Sequence, residues 1–82
     1  GDFEKAIKEN NLTTVDSIAD HFETNTVQLN RVFKNFETTP GKFLKKVKLE
    51  FAKEMLSKGI EIEEVSKKVG YSPSYIKKEL NL

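Results

Sequence analysis

Apolar residues recur along this chain at helical spacing, in two copies that lie 47 positions apart. Six positions of the first copy align with six of the second: Val15, Ile18, Ala19, Phe22, Leu29 and Phe33 with Ile62, Val65, Ser66, Val69, Ile76 and Leu80. Each copy has an apolar stripe at i, i+3 and i+7, then a short polar break, then a second stripe. This pattern predicts a short helix, a tight turn and a second helix. A small residue stands at the fifth position of each copy, Ala19 in the first and Ser66 in the second, which suits two helices that pack closely where they cross.

The first half of the chain predicts three helices. Helical spacing of apolar residues places the first over roughly residues 2–10. A capping box of Thr13 and Asp16 begins the second helix, which runs to about Phe22. Asn25 is placed to cap the third helix. The inward face of the third helix is predicted from its apolar series: Leu29, Val32, Phe33 and Phe36.

The second half predicts a long helix followed by two short ones. The long helix, over roughly residues 40–58, begins with Pro40 and is apolar over most of its circumference, which is typical of a helix between two small cores. Gly59 is placed for a left-handed C-terminal cap. A fifth helix over about residues 62–69 comes next, and Ser72 caps a sixth. The predicted fold class is all-α, with two homeodomain-like helix-turn-helix subdomains joined by a long linker helix.

The chain length limits what the protein can be. With 82 residues it forms one small unit, which we divide into a first subdomain (1–39), a linker helix (40–58) and a second subdomain (59–82). No nucleophile–base pair and no phosphate-binding glycine loop occurs, so we expect no enzyme, no catalytic residue and no cofactor. The chain has no cysteine, which suits a reducing cytoplasm. No apolar run approaches the ~20 residues that a membrane-spanning helix needs.

Two helix-turn-helix units suggest a protein that reads double-stranded DNA in two adjacent major grooves. The net charge of +1 is low for this function, but its distribution favours it. Residues 1–25 carry a net charge of −4, residues 26–58 carry +5, and residues 59–82 are neutral. The positive charge falls on the third helix and the long helix after it. In the alternative interpretation, the lysines are simply a solvated helix face: Lys42, Lys45, Lys46, Lys48 and Lys53.

Four runs of sequence carry a family resemblance: IADHF at 18–22, LNRVFK at 29–34, VKLEFAKEML at 47–56 and VSKKVGYSPSY at 65–75. Together they resemble the DNA-binding domain of AraC/XylS-type transcriptional regulators. The resemblance implies a bacterial, cytoplasmic regulator whose third and sixth helices read DNA. It also implies a sensing domain outside these residues and RNA polymerase as a further partner.

The sequence departs from the family pattern in three places. Glu23 stands where the family usually has a glycine in the first turn, which costs about 1 kcal/mol if that position is left-handed. The second turn is one residue shorter than the commonest form. The sequence ends just after the sixth helix, so we expect a second subdomain without the family's closing helix.

The resemblance also implies which residues contact DNA. The base-reading positions are on the third and sixth helices: Val27, Asn30, Arg31, Ser74, Tyr75 and Lys78. The chemistry suits this role, because arginine pairs with guanine, asparagine with adenine, and an aliphatic side chain contacts a thymine methyl group. Tyr75 has an alternative role, packing against Tyr71. The expected phosphate contacts are Thr26, Lys34, Lys45, Lys46 and Lys77.

Other polar residues give weaker signals. His21 is a lone histidine on a polar face, and we expect it to be solvated. Glu61, Glu63 and Glu64 favour the dipole at the start of the fifth helix and do not have the further ligands of a metal site, so we expect no metal. The alternative function, favoured by the low net charge and the missing closing helix, is a helical protein-interaction module that has lost DNA binding.

Overall fold

Six α-helices form the secondary structure of residues 2–82, the part of the chain that the computed structural model describes. They are α1 (Asp2–Glu9), α2 (Val15–His21), α3 (Thr26–Lys34), α4 (Pro40–Ser57), α5 (Ile62–Val69) and α6 (Pro73–Leu80). No strand occurs in these residues, which confirms the predicted all-α class. Within the same range, no helix is long and apolar enough to cross a membrane.

Side-chain caps begin α3, α4 and α6, and those of α3 and α6 are at the predicted residues. The Asn25 side-chain oxygen accepts a hydrogen bond from the backbone N–H of Gln28 at 2.9 Å. The hydroxyls of Thr39 and Ser72 each accept one from the backbone N–H three residues further on, both at 3.2 Å. A proline occupies the first turn of both α4 and α6, where its missing donor costs nothing.

The start of α2 differs from the sequence prediction by one residue. Thr14, not Thr13, is the N-cap, and it forms a capping box with Ser17 instead of Asp16. The Thr14 hydroxyl accepts from the Ser17 N–H at 3.0 Å, and the Ser17 hydroxyl accepts from the Thr14 N–H at 3.1 Å. The carbonyl of Thr13 is engaged elsewhere, since it accepts a hydrogen bond from the Lys48 ammonium at 3.1 Å.

Two hydrophobic cores lie at opposite halves of α4, as its apolar circumference predicts. The first core contains the N-terminal half of α4 and residues of α1, α2 and α3: Ile7, Ile18, Ala19, Leu29, Phe33, Leu44 and Val47. The second contains the C-terminal half of α4 and residues of α5 and α6: Ala52, Met55, Val65, Val69 and Ile76. One helix therefore serves both helix-turn-helix units.

Two residues of the predicted inward face of α3 are exposed instead. Leu29 and Phe33 are only 2 % exposed, but Val32 is 40 % and Phe36 is 68 % exposed. Phe36 lies beyond Lys34, where α3 ends, so helical periodicity no longer applies to it. Val32 lies on the flank of the stripe formed by Leu29 and Phe33, which face the core one turn apart.

The turns of the two helix-turn-helix units each have a residue with left-handed backbone conformation, at equivalent positions. Glu23 has φ of 54° and Gly70, 47 positions later, has φ of 77°. Only glycine adopts this region without a steric cost. Gly70 also lies close to the first subdomain, because a Cβ atom there would come within 3.3 Å of the Thr13 methyl group. Glu23 therefore carries strain that its counterpart avoids.

This asymmetry predicts that Glu23→Gly stabilises the protein. We expect the free energy of unfolding to rise by about 0.5–1 kcal/mol, because relief of the left-handed strain exceeds the added flexibility of the unfolded chain. Urea denaturation measures the change. The control is Glu50→Gly, at an exposed position inside α4, which should lower stability by about 1 kcal/mol. A loss of stability in Glu23→Gly would contradict the strain argument.

Candidate nucleic-acid interface

The outer face of α3 carries the first group of predicted DNA contacts. Leu29 and Phe33 bury the opposite face in the first core, which turns the outer residues toward solvent. The exposed side chains are Val27, Asn30, Arg31 and Lys34, while Thr26 in the first turn is half-buried. Val27 is 60 % exposed, so its aliphatic side chain is accessible to an external partner.

The polar side chains of this face differ in whether they already have a partner within the protein. The Asn30 side-chain amide donates a hydrogen bond to the Thr26 carbonyl at 2.8 Å, so it must rotate before it can offer both its donor and its acceptor to a base. Arg31 and Lys34 form no ion pair within residues 2–82. The single guanidinium of the protein is therefore free to bind an external acceptor.

The outer face of α6 carries the second group. Ser74, Lys77 and Lys78 are exposed, and Tyr75 is half-buried. The Tyr75 ring lies against the Tyr71 ring with centroids 4.7 Å apart, and its hydroxyl donates a hydrogen bond to the Glu79 carboxylate at 3.2 Å. This arrangement favours the alternative role of Tyr75, packing against Tyr71.

The predicted phosphate contacts on α4 have different surroundings. The Lys45 ammonium forms an ion pair with the Glu79 carboxylate at 2.7 Å and lies 5.8 Å from the centre of the Tyr75 ring. Lys46 is exposed and forms no ion pair in the described residues. Hydrogen bonding to Glu79 raises the pKa of Lys45, and the same bond from Lys45 lowers the pKa of Glu79. Lys45 is thus already partnered by α6, whereas Lys46 is available.

Lys48 is the one buried charged residue in the described chain, and sequence analysis missed its role. It is 5 % exposed, which contradicts the interpretation that places it on a solvated face. Its ammonium donates to the Thr13 carbonyl at 3.1 Å and lies 3.9 Å from the centre of the Tyr71 ring. Burial lowers the pKa of Lys48. The sequence does indicate this burial, since Lys48 lies four residues from both Leu44 and Ala52 on the buried side of α4.

The remaining candidates form no further site in the described chain. His21 is exposed, as expected, with its ring edge-on to Phe22 at 4.8 Å. Among residues 2–82, no three histidine, aspartate or glutamate side chains come together as metal ligands, and this includes the acidic residues that begin α5. An apolar cavity of about 430 Å³ lies between α1, α3 and α4. Four phenylalanines line it, together with polar residues that include two lysines: Phe3, Phe33, Phe36, Phe43, Lys42 and Lys46.

Two helix-turn-helix units on one shared helix, each with an exposed outer helix, define the class of DNA-binding helix-turn-helix domains. A family model described as a helix-turn-helix domain, of the AraC type, matches residues 18–79. The chain belongs to this family, whose domain is a DNA-binding regulatory one and not a catalytic one. No curated protein and no solved structure matches the chain.

The Lys45–Glu79 pair predicts a specific titration behaviour. The Glu79 carboxyl should titrate below its ordinary pKa of 4.5, mainly because Lys45 and then Tyr75 donate hydrogen bonds to it. Because this pKa is lower in the folded state, the pair contributes stability above the ordinary value, and this contribution is lost as the pH falls through the folded-state pKa. Carbon-13 NMR of the carboxyl group measures the pKa.

Lys45→Met should return the pKa of Glu79 toward its ordinary value, and Tyr75→Phe should do so by a smaller amount. The matched control is Lys46→Met on the same helix, which removes a charge without removing a partner of Glu79. It should leave the pKa nearly unchanged. An ordinary pKa for Glu79 in the unaltered protein would contradict the ion pair.

Proposed function

We propose that this domain binds double-stranded DNA sequence-specifically, as the output domain of a bacterial transcription regulator, with α3 and α6 in adjacent major grooves. The observation that carries the proposal is the free guanidinium of Arg31 on the outer face of α3, the second helix of a helix-turn-helix unit. An exposed, unpaired arginine at that place has the donor geometry that guanine accepts in the major groove.

The dimensions of the molecule support binding to two grooves. Its longest extent is 36 Å, close to the ~34 Å that separates successive major grooves on one side of DNA. The linker helix α4, of 18 residues, is about 27 Å long at ~1.5 Å per residue. We propose that the exposed faces of α3 and α6 lie on the same side of the molecule, so that one duplex meets both.

The proposed base contacts divide by chemistry. On α3, Arg31 pairs with a guanine, Asn30 pairs with an adenine after leaving the Thr26 carbonyl, and Val27 contacts a thymine methyl group. On α6, Ser74 and Lys78 are the exposed candidates. The sequence predicts Tyr75 beside them, but its ring and hydroxyl already have partners in the protein.

The proposed phosphate contacts position the domain without reading sequence. They are Thr26, Lys34, Lys45, Lys46 and Lys77. Among them Lys45 should contribute least, because a phosphate must compete with the Glu79 carboxylate for its ammonium. We further propose that a sensing domain outside these residues and RNA polymerase are partners of the parent protein in the cytoplasm.

One observation favours the alternative, a helical protein-interaction module. Phe36 is 68 % exposed and borders the apolar cavity between α1, α3 and α4. An exposed aromatic side chain beside an apolar cavity is typical of a surface that contacts another protein. The two functions differ sharply in their response to salt, because only DNA binding releases condensed counterions.

We therefore expect binding to a random duplex to weaken steeply with salt. If about six lysine and arginine side chains neutralise phosphates, the slope of log affinity against log salt is about −5, from about −0.9 for each contact. Fluorescence anisotropy over a range of potassium chloride concentrations measures it. Absence of binding at low salt, or a flat response, would favour the protein-interaction module.

A second prediction separates base reading from positioning. On the duplex that selection from a random library enriches, Arg31→Ala should cost roughly 1–3 kcal/mol and remove the preference at one guanine. Lys46→Ala should weaken selected and random duplexes about equally and lower the salt slope by about one unit. Both variants are measured on both duplexes. If Arg31→Ala weakens the two equally, Arg31 is a phosphate contact and not a base reader.

A further inference from the structure

We propose that Lys48, with Tyr71 and Tyr75, forms a clamp that holds the two recognition helices, α3 and α6, at one relative angle. The clamp thereby sets the spacing of the DNA half-sites that the domain accepts. Lys48 is the positioning residue of this lysine–tyrosine clamp. The effect on DNA rests on the proposed function, whereas the effect on the angle between the subdomains does not.

The Lys48 ammonium connects the two helix-turn-helix units directly. It donates a hydrogen bond to the carbonyl of Thr13, two residues before α2 begins, at 3.1 Å. It also lies 3.9 Å from the centre of the Tyr71 ring, in the turn between α5 and α6. Such a contact of an ammonium with an aromatic ring is attractive and stronger when shielded from water. One side chain of α4 thus holds the entrance of the first unit and the turn of the second.

The clamp continues from Tyr71 to the second recognition helix. The rings of Tyr71 and Tyr75 lie 4.7 Å apart, and the Tyr75 hydroxyl donates to Glu79 at 3.2 Å. Glu79 of α6 in turn forms an ion pair with Lys45 of α4 at 2.7 Å. The position of α6 on α4 is therefore linked through Tyr71 to the start of α2.

Few other contacts cross the middle of α4, and one of them is the exposed ion pair at 3.0 Å between Lys8 of α1 and Glu54 in the C-terminal half of α4. In residues 2–82, neither α5 nor α6 packs extensively against α1, α2 or α3, and α4 is the neighbour that they share. Lys48 lies between Val47, in the first core, and Ala52, in the second. A bend of α4 at this place would change the angle between the cores without opening either one, and Lys48 connects elements on both sides of it.

The magnitude of such a bend matters for DNA recognition. Each half of α4 extends about 13 Å from Lys48, so a bend of about 20° displaces one end of the helix by about 5 Å. This exceeds the ~3.4 Å between successive base pairs. A bend of this size would therefore shift one recognition helix out of register with its half-site while the other stays bound.

Stability alone does not explain a lysine at this position. Burying an ammonium costs free energy, and here a single carbonyl and one ring compensate for the lost water. A methionine has a similar length and would fill the same space without a charge to desolvate. What methionine lacks is a directional hydrogen bond to Thr13 and the attraction to the Tyr71 ring, and these two contacts define the angle.

The first arm of the test measures the angle without DNA. Backbone residual dipolar couplings of the unaltered protein should fit the two subdomains with one alignment tensor in the observed relative orientation. Couplings of Lys48→Met should fit each subdomain separately but not both together. Lys53→Met, the same substitution at an exposed position of α4, should behave like the unaltered protein.

A second pair of variants covers the case in which Lys48→Met does not fold. Tyr71→Leu removes the ring and should behave like Lys48→Met, whereas Tyr71→Phe keeps the ring and should behave like the unaltered protein. If the folded Lys48→Met or Tyr71→Leu protein keeps the observed orientation, the clamp does not set the angle and the proposal is wrong. The proposal is equally wrong if the unaltered protein needs two tensors.

The second arm uses a random duplex library long enough to span two successive major grooves. The unaltered protein should enrich two half-sites at a single spacing. Lys48→Met should enrich the same half-sites over several spacings and bind the best duplex roughly tenfold more weakly, because the second unit has a lower effective concentration at its half-site. Unchanged spacing would overturn the clamp. If the unaltered protein enriches no duplex, the proposed function fails, and the couplings still decide whether the clamp holds the angle.

Discussion

The fold depends on a single helix that completes two cores. Neither helix-turn-helix unit has enough apolar residues to bury a core by itself, because each supplies two short helices with one apolar face each. The N-terminal half of α4 closes the first core with Leu44 and Val47, and the C-terminal half closes the second with Ala52 and Met55. The distance between the two outer helices therefore depends on the length of α4. In this small chain the spacer between the two units is also part of both cores.

Local chemistry determines most helix ends, and the sequence predicts these well. Asn25, Thr39 and Ser72 cap helices through hydrogen bonds within three residues, and Gly70 ends α5 in the left-handed region. The start of α2 is harder to predict because two adjacent threonines can both cap a helix. The tertiary contact of Thr13 with Lys48 leaves Thr14 as the cap. Periodicity also fails at Phe36, since the pattern continues for two residues after the helix has ended.

The candidate interface is predictable in outline but not in detail. The exposure of Val27, Asn30 and Arg31 results from the burial of Leu29 and Phe33, which sequence periodicity shows. The partners of Lys45 and Tyr75 cannot be read in this way, because Glu79 reaches Lys45 only when α6 packs on α4. Lys48 illustrates the same limit. A lysine in a polar-looking sequence is ordinarily solvated, and only the meeting of two subdomains buries this one.

The two turns of the repeat differ in the side chains that they tolerate. Both have the same left-handed backbone, yet the space around them differs: Glu23 is exposed, while a Cβ atom at position 70 would lie only 3.3 Å from the Thr13 methyl group. Substitution at position 23 meets only backbone strain. At position 70 it meets strain and the other subdomain at once. The repeat is therefore symmetric in backbone but not in mutational tolerance, and the second turn should tolerate substitution less well than the first.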